Sequence, residues 1–424
     1  MKVLVVGGGG REHAIAWKLS KENNVEKIYC APGNAGIAKV AQCVNISDSD
    51  IENLVKFAKE NNIDLTVVGP EVPLVNGIVD EFEKEGLKIF GPNKECSTFE
   101  GSKSFSKDFM IRHNIPTAKY KEYTNLDEAI SEIDSFGYPV VIKADGLAAG
   151  KGVVIPENRE DAINTLREIM SDKKFGSDGE KIVVEEFLSG IETSILAFVD
   201  NDTIVPMVSA KDHKKVYNFE KGPNTGGMGT FSPSEIYTDE LSKEISEKVL
   251  NRTLQGFKKD NLNYKGVLFI GLMITEDGPK VLEYNVRFGD PETQSVLFRL
   301  ETDLHKIMEA ILDNKLKDIE INYKKEEAVC VMLTSGGYPE DYEKGKVITG
   351  LEDLDEDIVV FHSGTKMLDG NLVTNGGRVI GITTSAGSVE EAAKKVYKNI
   401  EKINFEGMHY RTDIGIKFCE EISF

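Results

Sequence analysis

The chain has 424 residues, room for about three domains, and its 40% hydrophobic and 29% charged content is that of a soluble globular protein. A formal net charge of −20 counts against nonspecific nucleic-acid binding, because no basic excess exists to neutralise a phosphate backbone. No apolar run reaches the roughly 20 residues that span a bilayer, and five scattered cysteines without a CxxC pair or zinc spacing read as reduced thiols of a cytoplasmic protein.

The opening MKVLVVGGGG is too short for a signal-peptide core. It predicts a buried strand over residues 2–6 that turns through four glycines into a helix beginning near Arg11. Further strands are expected over 27–30 and 65–68. Between them Ile51, Leu54, Val55 and Ala58 fall at i, i+3, i+4 and i+7, the spacing of an amphipathic helix. Alternating strands and helices imply a parallel sheet that binds ligands at the C-terminal ends of its strands.

After Ser102 the pattern changes. Strands are expected over 139–143, 152–155, 182–187, 193–199 and 204–209, with a helix around 160–170. Residues 210–232 carry KDHKKVYNFEKGPNTGGMG, basic and turn-rich without periodicity, which predicts an active-site loop. Strands over 266–274 and 279–286 lead into a helical stretch ending near Asp313. An acidic run over 316–327 bounds a C-terminal domain with strands near 328–334, 358–362 and 378–384. Ser388-Val389-Glu390-Glu391 is a capping box opening a helix to about Asn399.

Four segments carry chemistry. The glycines at 7–10 fail the dinucleotide fingerprint, which needs Gly or Ala where Glu12 or His13 stands. A strand–turn–helix can still offer backbone N–H groups to a phosphate, the plainer alternative being a structural turn. KADGLAAGKG (143–152) is no P-loop, since Gly152 stands where Ser or Thr is required, yet Lys143 and Lys151 flank a three-glycine turn able to fold over polyphosphate. Glu185-Glu186-Phe187-Leu188 ends an apolar strand; its acids and backbone edge suit an adenine and a ribose, though solvated acids look no different in sequence. In VLEYNVRFGDPETQ (281–294), alternation puts Glu283, Asn285 and Arg287 on one strand face and Leu282, Tyr284 and Val286 on the other. A carboxylate and an amide oxygen are hard donors suited to Mg²⁺, and the guanidinium can fork onto a carboxylate or phosphate. A structural Glu–Arg pair is the alternative.

In order, these segments resemble the ATP-grasp superfamily. GGGGREHA (7–14), GPEVPLVNGI (69–78), EGSKSFSK (100–107), KDHK (211–214), GPNTGGMG (222–229), NVRFGDPETQ (285–294), HSGT (362–365), GGRVIGIT (376–383) and YRTDIG (410–415) resemble the phosphoribosylamine–glycine ligase family in particular. The resemblance implies an α/β (α+β overall) fold. A parallel-sheet pre-ATP-grasp domain would span 1–101, an ATP-grasp domain 102–325 with a mobile lid over about 120–192, and a small mixed α/β domain 326–424. It implies ATP, glycine and 5-phosphoribosylamine as partners, a glycyl phosphate intermediate, Mg²⁺ or Mn²⁺ as cofactor, no nucleic acid or membrane, and a monomer.

By the same resemblance, Lys103, Lys143, Gly150, Lys151 and Gly152 hold the ATP phosphates. Glu185, Glu186, Phe187 and Leu188 flank adenine, Glu192 meets ribose, and Glu283 and Asn285 hold the metal. Lys143 and Arg287 are expected to stabilise developing charge. Asp212, His213 and Arg287, with Gly9, Gly10, Arg11 and Glu71, are the expected substrate contacts. The alternatives are another ATP-grasp carboxylate–amine ligase or carboxylase, and a nucleotide-binding module without turnover.

Overall fold

The computed structural model describes residues 1–147, 152–172 and 176–416. Gly150 and Lys151 of the glycine loop lie outside the described residues.

The N-terminal sheet is parallel, in the order Gln42–Cys43, Lys27–Pro32, Lys2–Gly7, Leu65–Val68, Ile89–Phe90. The first strand leaves through Gly7 at φ +119°, where a Cβ would sit 2.6 Å from Glu12 Cγ, so only glycine fits. The helix Gly10–Leu19 follows, with Glu12 Oε2 accepting from the Gly9 amide at 2.6 Å. That bond satisfies a donor the helix start would otherwise leave orphaned.

Two antiparallel four-stranded sheets make up the middle of the chain. One has the order Tyr120–Tyr123, Ile182–Glu186, Val140–Ala144, Val153–Val154. With the helices Leu126–Glu132 and Arg159–Met170 it encloses its own core, built around Ile142, Leu166 and Val184. The other runs Ile204–Pro206, Ile191–Val199, Gly266–Thr275, Gly278–Asn285.

The stretch 210–232, expected as a loop, instead forms four short strands. Lys215–Tyr217 pairs with Lys221–Asn224, and Lys211–Asp212 pairs with Gly229–Ser232. Gly229–Ser232 also pairs with Glu327–Thr334, so mid-chain residues complete the C-terminal sheet with Arg378–Ala386 and Val359–His362. Such short strands, interrupted by Gly and Pro, carry too little period-2 signal to read from sequence. Ser388 does cap the helix Val389–Ile400, accepting from the Glu391 amide.

The chain's single tryptophan marks where its three parts meet. Trp17 of the first helix stacks on Phe298 at 5.4 Å and meets Phe361 edge-on at 5.5 Å.

Candidate active site

A cleft of about 340 Å³ opens between the two four-stranded sheets, with the hairpins of 211–232 along one side. One wall is built from lysines. Ser102 caps the helix Lys103–Arg112, and the Asp145 carboxylate accepts from the Ser104 amide at 2.7 Å, tying the start of the glycine loop to this helix. Lys103 Nζ donates to Gly146 O at 2.6 Å. One turn further, Lys107 Nζ meets Glu185 Oε2 at 2.8 Å, while Lys143 Nζ meets Glu185 Oε1, also at 2.8 Å. Burial would raise the Glu185 carboxyl, but the two ammoniums hold it below its ordinary value. Burial pushes Lys107 down to about 8 despite Glu185.

The opposite wall carries the carboxylate–amide pair. A bulge at the Gly271–Leu272 pairing inserts one residue into the strand Gly278–Asn285. Val281, Tyr284 and Val286 therefore enter the core, and Leu282, expected there, lines the cleft instead. The extra residue breaks the strict alternation assumed from sequence. Glu283 Oε1 accepts from Asn285 Nδ2 at 3.4 Å. Burial opposes its charge, yet Lys214, Lys143 and Lys103 hold the Glu283 carboxyl below its ordinary value. As a donor set, one anionic oxygen and one neutral oxygen fit a hard divalent cation whose other ligands are phosphates and water. Asn285 Oδ1 now accepts from Arg287 Nη2 at 3.2 Å and keeps a second lone pair.

The third side is a chain of charges. Arg287 pairs with Glu100 at 2.9 Å and Glu71 at 3.3 Å, and Glu71 also faces Arg11 at 3.7 Å. Arg11 in turn donates to Gly69 O at 2.8 Å. Lys214 is ion-paired with Glu192. Asp212 and Glu292 are different. Glu292 is buried and Asp212 half-buried; both line the cleft, and like Glu186 and Glu283 neither has an ion-pair partner among the described residues. Burial first, and then the Glu292 charge, push the Asp212 carboxyl well above its ordinary value.

The geometry thus brings together Lys103, Lys143, Gly152, Glu185 through Leu188, Glu192, Asp212, Glu283, Asn285, Arg287 and Glu71. Gly9, Gly10 and Arg11 are not on the cleft wall: Arg11 faces Glu71, and a Cβ on Gly10 would sit 3.5 Å from Asp290 Oδ1. Two expectations change. The Glu185 carboxylate is ion-paired to Lys107 and Lys143 and so is not free to meet an adenine, and Glu186 Oε1 accepts from the Lys119 amide at 2.9 Å. His213 does not share the cleft with Asp212. Successive residues along a strand face opposite ways, and the His213 ring enters a separate cavity beside Phe231 and Arg411.

Lys107, Lys214, Glu100 and Glu292 also belong to this site, although they are not among the site residues expected from sequence. Lys107 was legible, lying at i+4 from Lys103 on one helix, and Lys214 lies two residues from Asp212 on the same face. Glu100 and Glu292 lie inside the motifs EGSKSFSK and NVRFGDPETQ, but the contact of Glu100 with Arg287 and that of Glu292 with Ser194 come from distant parts of the chain.

A lysine-lined cleft between two antiparallel sheets, faced by a carboxylate–amide pair, defines an ATP-grasp protein. Family models described as phosphoribosylglycinamide synthetase match residues 1–100 (N domain), 101–293 (ATP-grasp (A) domain) and 328–417 (C domain). The chain belongs to the phosphoribosylglycinamide synthetase family. A phosphoribosylamine–glycine ligase from Caldanaerobacter subterraneus subsp. tengcongensis is 53% identical over 415 residues, covering 98% of this chain and 99% of its own. A solved structure of phosphoribosylamine–glycine ligase from Thermotoga maritima has a TM-score of 0.85 at 35% identity, covering 98% of this chain and all of that one. Biotin carboxylase from Campylobacter jejuni, at 14% identity and TM-score 0.74 over 96% of this chain and 92% of its own, shares the fold alone.

Proposed function

We propose that this enzyme uses ATP to join glycine to 5-phosphoribosylamine, giving glycinamide ribonucleotide, ADP and phosphate. The observation that carries the reading is the convergence of Lys103, Lys107 and Lys143 across the cleft from Glu283 and Asn285, in a chain 53% identical over nearly its full length to a ligase of that name.

A carboxylate does not condense with an amine unaided, because its oxygen is a poor leaving group. Transfer of the γ-phosphoryl group to the glycine carboxylate gives an acyl phosphate, and attack by the ribosylamine nitrogen then expels phosphate. Lys103 and Lys143 bind the nucleotide's phosphates, with Lys107 holding Glu185 in place beside Lys143. The backbone edge of Glu186 to Leu188 receives adenine and Glu192 the ribose. Glu283 and Asn285 hold Mg²⁺ or Mn²⁺, which when bound neutralises charge on the phosphate oxygens. Asp212 and Glu292, two cleft carboxylates without an ion-pair partner among the described residues, anchor the ammonium of glycine. Arg287 faces the developing acyl phosphate, and Glu71, Arg11, Gly9 and Gly10 border the ribosylamine. The separately cored unit within 120–192 closes over the reactants and excludes water from an intermediate that hydrolyses readily.

All of these residues come from one chain, which suits a monomer, and among the described residues no helix is long and apolar enough to cross a membrane. Small charged metabolites as substrates suit the cytoplasm.

The test is phosphate release. The purified protein with ATP should release phosphate when given glycine and ribosylamine together. Release with bicarbonate and aminoimidazole ribotide instead would make it a carboxylase. ADP formation that responds to neither pair would leave a nucleotide-binding module.

A further inference from the structure

The turn of residues 224–229 stands over the cleft beside Asp212, and its conformation is held from two directions. From inside, its own hairpin supplies the bonds. The Thr225 amide and hydroxyl both donate to Lys214 O at 2.7 Å, the Gly227 amide donates to Thr225 Oγ1 at 3.0 Å, and the Met228 amide donates to His213 O at 2.8 Å. Gly227, at φ +117°, packs so closely that a Cβ would lie 2.8 Å from Asp212 Oδ1. None of these bonds fixes Gly226, which lines the cleft with Asn224 and Thr225.

From outside, two side chains of the C-terminal region hold both polar groups of Gly226. Its amide donates to the Tyr338 hydroxyl at 2.9 Å, and its carbonyl accepts from Arg378 Nη1 at 2.7 Å. The same nitrogen donates to Asp290 O at 2.7 Å, and Nη2 lies 3.4 Å from Asp290 Oδ2. The Asp290 carboxylate accepts from Gln294 Nε2 at 2.8 Å and from the Arg11 amide at the start of the first helix. Arg378 thus ties the turn to the wall that carries Glu292 and, through Asp290, to the start of the first helix.

We propose that Arg378 and Tyr338 are positioning residues for the end of the cleft where the two non-nucleotide substrates meet. They pin Gly226 so that the turn closes against Asp212 and Asp290. Among the described residues neither touches the Glu186–Leu188 edge or Lys103, so the nucleotide end is set independently. The inference rests on the ligase reading above.

The experiment is steady-state kinetics on the full chain, varying ATP, glycine and ribosylamine separately, for Tyr338→Phe, Arg378→Lys and Arg378→Ala. Tyr338→Phe removes one neutral acceptor and should raise KM for glycine or ribosylamine about 5-fold. Arg378→Ala should raise it by about 100-fold, and Arg378→Lys, which keeps one charged donor, should recover about a tenth of that loss. KM for ATP should stay within about twofold and thermal midpoints within a few degrees in Tyr338→Phe, a split that a merely structural residue would not give. Equal rises in all three KM values, or no change in any variant while the parent enzyme is active, would overturn the clamp alone. A parent enzyme that releases no phosphate from glycine and ribosylamine sinks the ligase reading and the clamp with it.

Discussion

Lys143 Nζ lies 2.8 Å from Glu185 Oε1 across two neighbouring strands, and both side chains are almost wholly removed from water. Lys107 grips the other oxygen of the same carboxylate, so one buried acid supports two buried ammoniums. Removing one member of such a group leaves uncompensated charge, which costs far more than the intact pair contributes.

Glu185→Gln should therefore lower the stability of the ligand-free protein by about 3 kcal/mol. Much of that loss should return with ADP, whose phosphates replace the missing charge beside Lys143. Urea unfolding with and without ADP checks this; an identical loss in both conditions would show that the lysines do not face the nucleotide.

Glu283→Ala should cut ligation by roughly a hundredfold or more, the usual effect of deleting a group that stabilises transition-state charge. Assay at saturating Mg²⁺ distinguishes weak metal binding from lost chemistry, and near-normal turnover there would overturn the metal assignment.

Asp212→Asn keeps the shape of the side chain and removes the charge offered to the glycine ammonium. KM for glycine should rise about tenfold, as expected for one charge-assisted bond, with KM for ATP unaffected. A rise confined to ATP would move Asp212 to the nucleotide end.

Acid should destabilise the fold through its buried histidines. Burial holds His13 and His213 neutral down to about 3 and His362 down to about 4. Unfolded, each takes a proton near pH 6.5, so between 6.5 and 4 the unfolded chain binds more protons. Stability is then complete above pH 6.5 and falls with pH by about 1.4 kcal/mol per unit for each histidine. Between pH 7.5 and 5.5 the urea midpoint of His213→Asn should drop less than that of the parent protein; an equal drop would mean His213 titrates normally.

The frame of the fold was readable from local pattern. Long apolar strands such as Leu65–Val68 and Gly266–Thr275 and the capped helix Val389–Ile400 carry strong periodic signals and fall where expected. The stretch 210–232 was not readable as strands, because its strands are short and broken by Gly and Pro, and the partner that fixes Gly229–Ser232, Glu327–Thr334, lies far along the chain. The same limit governed the site. Glu283, Asn285 and Lys143 announce themselves by strand alternation and by the glycine loop, and the structure gathers them in one cleft. The bulge that turns Leu282 outward, the lysines on Glu185 and the contact of Glu100 with Arg287 depend on tertiary neighbours that no window of sequence displays.

Trp17 gives this protein a built-in optical reporter. As the sole indole, sandwiched where helix, middle segment and C-terminal sheet converge, its emission reads the seating of those three bodies on one another. The unit around Ile142 and Val184 lies outside its aromatic neighbourhood. Trp17 emission will therefore be insensitive to any rigid-body opening of that unit and sensitive to undocking of the C-terminal region, so one unlabelled sample reports loosening of the frame without interference from elsewhere.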